Sequence, residues 1–182
     1  PVGRAWTEDE LRRIGDICLR HSVVVVADEI HADFARAGHV HVPYASLGER
    51  YAKSAVVCTA PSKTFNLAGL VGSYHIIYNK YLRDRVCARS SKSHYNHMNV
   101  LSMHALIGAY KPEGYEWLDE LVQVLGANVD WACDYIDKHF DGVRVQRPQG
   151  TYMLFVDCTE WCDKRGHDIE WVEKQCWRVG VD

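Results

Sequence analysis

No stretch of this 182-residue sequence approaches the roughly 18 consecutive apolar residues of a membrane helix, and no signal-peptide pattern is present. Charge of neither sign is in excess, with 21 basic against 24 acidic residues, so nothing points to a nucleic-acid or membrane partner. The seven cysteines include no Cys-x-x-Cys pair; an odd, scattered set argues for reduced thiols in a cytoplasmic protein rather than a disulfide framework. Internal repeats and low-complexity segments are absent too. So is an initiator methionine: the chain opens on a turn, and it reads as an internal piece of a longer protein.

What the sequence does contain is a pair of buried-strand signals, each ending in a chemically useful residue. Val23-Val24-Val25-Val26-Ala27 is β-branched without alternation, the pattern of a strand covered on both faces, and it runs into Asp28-Glu29-Ile30-His31. Ahead of it, Thr7 and Glu10 form a capping box that starts a helix carrying Leu11, Ile14, Ile17 and Cys18. A second apolar run, Ala55 to Cys58, stops at Pro61, and Lys63 follows in what reads as a loop. Between Asp28 and Lys63 there is room for a crossover connection, which would make the two strands parallel neighbours. Ligands of open α/β sheets sit beyond the carboxyl ends of such strands, where both residues fall.

A lysine among Phe65, Leu67 and Leu70 is costly while charged, which favours its neutral, nucleophilic amine; the plain alternative is an exposed loop lysine. Asp28 has its own plain alternative, a strand-end carboxylate capping a backbone turn. Brought together, an acid and a lysine suit one cofactor well, pyridoxal 5'-phosphate.

Asp28-Glu29-Ile30-His31-Ala32-Asp33-Phe34 followed by Ala60-Pro61-Ser62-Lys63-Thr64-Phe65-Asn66-Leu67-Ala68-Gly69-Leu70 resembles the fold-type I pyridoxal-phosphate enzymes. Within the class I/II aminotransferase superfamily it is most similar to the cystathionine β-lyase branch. Pro1-Val2-Gly3-Arg4 resembles the end of a family turn, and Gly150 to Asp157 a strand of the small domain. The resemblance implies that Lys63 carries the cofactor and removes the substrate's Cα proton. It assigns Asp28 to the pyridine nitrogen, His31 to the side of the cofactor's 3-oxygen, and Ser62 to the phosphate. Histidine at position 31 resembles the lyases, whereas aminotransferases usually place a tyrosine there. Val71 stands where aminotransferases often have an arginine, so other groups must hold most of the phosphate charge.

The fold so implied is α/β: a mostly parallel sheet with flanking helices, as in the large domain of these enzymes, plus part of a smaller α+β C-terminal domain. Residues 1–112 belong to the large domain, 113–140 to a connecting helix and 141–182 to the small domain. Further elements are expected as a short helix near 47–52, an antiparallel third strand over 72–78, and helices near 80–88 and 94–110. A strand pair, 143–147 with 151–157, and a terminal helix over 167–179 complete the list. The implied activity is a pyridoxal-phosphate-dependent β-elimination from a sulfur amino acid by a homodimer, with a class I/II aminotransferase as the alternative. A remoter rival is a metal-dependent hydrolase built on His31, His39 and His41 with Asp28, Glu29 and Asp33, although no His-Glu-x-x-His spacing is present. Cys158 and Cys162 are an equally weak metal pair.

Overall fold

In a computed structural model of the chain, which describes residues 3–94 and 97–181, a three-stranded sheet and a two-stranded one are joined by helices. Helix α1 (Glu8–Arg20) starts as expected: the Thr7 hydroxyl accepts from Glu10 N, and the Glu10 carboxylate accepts from Thr7 N. Strand β1 (Val25–Asp28) follows, then two 3-10 turns and the one-turn helix α2 (Glu49–Ala52). Strand β2 (Ala55–Thr59) lies parallel to β1, with Asp28 opposite Cys58, and Glu29 N donates to Cys58 O at 2.9 Å just past the last pair. Strand β3 (Tyr74–Ile76) returns antiparallel on the other side of β2. The described sheet is therefore one parallel and one antiparallel pair in an α/β chain.

The core sits where α1, the turn at Tyr44–Leu47, α2 and the first two strands converge. Tyr44, Leu47, Tyr51 and Ala55 are buried there, with Leu11, Leu19, Val25, Ala27 and Val42 packed around them. Gly15 lets α1 come close: a Cβ at that position would stand 2.6 Å from the Tyr51 ring. The expectation that β1 is covered on both faces is not met among the described residues. Val25 and Ala27 face the core, but Val26 is 67% exposed and Val24 is open too. An unbroken apolar run marks both faces as able to be buried; here only one face has a layer against it.

Beyond β3 lie α4 (Lys80–Ser93), α5 (Val100–Ala109) and the long α6 (Pro112–His139). Residues 95 and 96, inside the helix expected over 94–110, lie outside the described residues, as do Pro1 and Val2 of the opening turn motif. Helix α6 buries Leu118, Val129 and Cys133 on one stripe, whereas Trp117 and Val124 are exposed. The expected strand pair shrinks to two residues on each side, β4 (Arg144–Val145) with β5 (Val156–Asp157). Helix α7 (Thr159–Arg165), not anticipated from the sequence, precedes α8 (Ile169–Arg178). No helix of the described residues is long and apolar enough to cross a membrane.

Candidate active site

The carboxyl ends of the two parallel strands carry the residues singled out in the sequence. Asp28 is the last residue of β1 and is exposed; its Oδ1 accepts from Ile30 N at 3.3 Å, so it also caps the turn that follows. Lys63 lies not in a loop but in the one-turn helix α3 (Pro61–Thr64) directly after β2. Pro61 occupies the first helical position, where its fixed φ suits a helix and its missing N–H costs nothing. The turn closes with Phe65 N donating to Pro61 O at 2.9 Å, and Asn66 ends it in the left-handed region that asparagine tolerates. Lys63 itself is exposed, which corrects the expectation of an amine enclosed by apolar neighbours. Phe65 turns away instead, packing its ring 5.5 Å from Tyr110 and 6.1 Å from Trp117. Ser62, beside the lysine, is half-buried.

His31 completes the group. Burial, and after it the charge of Lys63, pushes its imidazole below the ordinary 6.5, while Asp28 pulls the other way; both charges are thus near enough to act on it. At the end of β2, burial first and Asp28 second raise the Cys58 thiol, which keeps it protonated.

Contacts distant in sequence hold this group. Thr64, adjacent to Lys63 and 1% exposed, donates to Asp33 Oδ2 at 2.7 Å and ties α3 to the 3-10 turn that begins after His31. The Thr151 hydroxyl stands 2.9 Å from His31 Nδ1, and the His31 ring lies 5.3 Å from that of Tyr152 and 5.8 Å from that of Phe34. Arg36 N donates to Gln149 O at 2.9 Å, and the Arg36 guanidinium reaches Pro148 O and Asp130. Neither Thr64 nor Thr151 stood out in the sequence. A threonine next to the candidate lysine was the available signal for the first, and nothing local marks the second.

A cavity of about 550 Å³ opens beside the strand ends, lined by Asp28, Glu29, His31, His41 and Thr151 among others. That size is ordinary for a small-molecule site. It takes in Asp28 and His31 but not Ser62 or Lys63, so the sequence-predicted group is only partly on its wall. The metal rival is not assembled: among the described residues no three His, Cys, Asp or Glu side chains group as metal ligands. His41 Nε2 is engaged with Glu29 Oε2 at 3.2 Å, and Glu29 Oε1 accepts from Tyr44 N at 2.8 Å. An exposed carboxylate and an exposed amine at neighbouring strand ends, with a half-buried hydroxyl beside the amine, do fit pyridoxal phosphate: acid for ring nitrogen, amine for aldehyde, hydroxyl for phosphate.

The family model described as aminotransferase class I and II matches residues 1–179. The chain is similar to the cystathionine beta-lyase PatB of Bacillus subtilis, at 37% identity over 86% of this chain and 40% of the relative. It is 35% identical to the protein MalY of Escherichia coli, over 86% of this chain and 40% of that one. Among solved structures it resembles cystalysin from Treponema denticola, which contains a pyridoxal 5'-phosphate cofactor, with a TM-score of 0.87 and 32% identity over 97% of this chain and 43% of that one. The chain thus spans about 40% of the length of the curated relatives it matches.

Proposed function

This chain belongs to the aminotransferase class I and II family, and from that premise we propose that the full-length protein is a pyridoxal-phosphate-dependent carbon–sulfur β-lyase. Its substrates are cystathionine or cysteine-type amino acids, and its products a thiol, pyruvate and ammonia. The observation that carries the reading is the parallel register that brings Asp28 to the end of β1 beside the strand leading to Lys63. It stands in a chain whose similarity reaches a named cystathionine beta-lyase.

When bound, pyridoxal phosphate supplies an aldehyde that condenses with amino groups and a protonated ring that takes up the electron pair left at the substrate's Cα. Lys63 would hold the cofactor through its amine until the substrate's own amino group takes its place, and the freed amine would then serve as the base for the Cα proton. The Asp28 carboxylate keeps the proton on the pyridine nitrogen. His31 would stand beside the ring oxygen, and the Ser62 hydroxyl would donate one hydrogen bond toward the phosphate. With the Cα proton removed, the thiol leaves from Cβ, and hydrolysis of the three-carbon remainder gives pyruvate and ammonia.

The same reading makes residues 1–112 part of a cofactor-binding large domain with a mostly parallel sheet, 113–140 the connecting helix, and 141–182 part of a smaller α+β domain. The antiparallel β4–β5 pair supports the last assignment. A homodimer in the cytoplasm completes the proposal; the seven unpaired cysteines accord with a reducing compartment. Product analysis tests the function. Cystathionine given to the full-length protein should yield pyruvate and ammonia with no keto acid added. Strict dependence on a keto-acid acceptor, with the amino group recovered on it, would make the protein an aminotransferase instead.

A further inference from the structure

Thr151 is a β-branched residue at φ +67°, a backbone conformation such side chains rarely adopt, and it is 5% exposed. Glycine would sit there without strain. Strain of this kind persists only where the surroundings over-determine it. Here they do: Thr151 N donates to Phe34 O at 3.1 Å, and the Thr151 hydroxyl lies 2.9 Å from His31 Nδ1. The next residue, Tyr152, sets its ring against both His31 and Phe34, each at 5.3 Å. Thr151 and His31 line the same cavity as Asp28.

We propose that Thr151 is a positioning residue that fixes the orientation of the His31 ring at the cavity wall. The proposal rests on the site reading given above and goes beyond it by naming a residue from the C-terminal part of the chain. A neutral imidazole has one N–H and one lone pair, and the partner of one nitrogen decides what the other offers. A hydroxyl can donate or accept, so Thr151 satisfies Nδ1 in either role. His31 Nε2 has no hydrogen-bond partner among the described residues, which leaves it for the ligand. The chain thereby keeps a strained threonine where an unstrained glycine would forfeit the hydroxyl.

The test uses full-length protein labelled with 15N-histidine, recorded with and without pyridoxal 5'-phosphate; His31→Asn identifies the His31 signals. In the parent, the Nδ1 signal of His31 should carry the shift of a hydrogen-bonded ring nitrogen, in one set of ring signals. Thr151→Val should remove that hydrogen-bond shift at Nδ1 and lower kcat/KM for C–S cleavage roughly fivefold, the scale of one neutral hydrogen bond. Thr151→Ser should restore both. An unchanged His31 pattern in Thr151→Val would overturn the proposal. Should the valine variant not fold, Thr151→Gly removes the same hydroxyl while suiting the positive φ, and the same two outcomes decide. A parent that takes up no pyridoxal phosphate would overturn the reading of the site, whereas the cofactor-free spectra still decide the role of Thr151.

Discussion

Residues 8–64 close their core with Tyr44, Leu47, Tyr51, Ala55 and Val57, each under 5% exposed, whereas residues 112–181 leave Trp117, Val124, Trp131, Ile169 and Trp177 in the open. The two regions accordingly contribute to the site by different means. In the first, Asp28 and Lys63 are placed by backbone: a parallel ladder anchored on packed side chains fixes where each strand ends. In the second, the contribution is a set of contacts distant in sequence, polar and aromatic, from side chain and backbone. Arg36 bridges to Asp130, Gln149 engages Ala5 N and Arg36 N, and Thr151 holds His31. Asp28 and the helix that carries Lys63 are thus placed mainly by the packed region, whereas His31 also takes a hydrogen-bond contact from the second.

The sharpest way to break that comparison is Asp28→Ala. The side chain is exposed, so the fold should survive, but without its carboxylate the pyridine nitrogen loses its proton and turnover should fall about a hundredfold or more. Near-parental turnover with cofactor bound would remove Asp28 from the mechanism. A smaller effect compares the regions directly in the full-length protein by urea unfolding. Leu47→Ala, at a site 3% exposed, should cost about 2–5 kcal/mol through lost burial and the cavity left behind. Ile169→Ala, at a site 62% exposed, should stay within about 0.5 kcal/mol. Equal costs would show that the contrast in packing does not hold for the protein.

Sequence signals were legible where the physics is local. The Thr7/Glu10 box announces α1, the two apolar runs announce β1 and β2, and Pro61 announces a change of course. Position along the strands then puts Asp28 at the end of β1, opposite Cys58, and Lys63 in the short helix that follows β2. The same local signals do not say which residues supply the cover. Val23 to Ala27 reads as covered on both faces, yet the Val24 and Val26 face is open; Phe65 and Leu67 read as surrounding Lys63, yet the short helix turns the amine outward. Thr151 and His31 are 120 residues apart, and no periodicity or turn chemistry records their contact. Nor does composition foretell that Thr64 spends its hydroxyl on Asp33.

Borohydride reduction tests the central claim most directly. Full-length protein incubated with pyridoxal 5'-phosphate, reduced and digested, should carry the cofactor on the peptide containing Lys63, fixed to that residue's Nζ. Attachment to any other lysine, with Lys63 unmodified, would contradict the account.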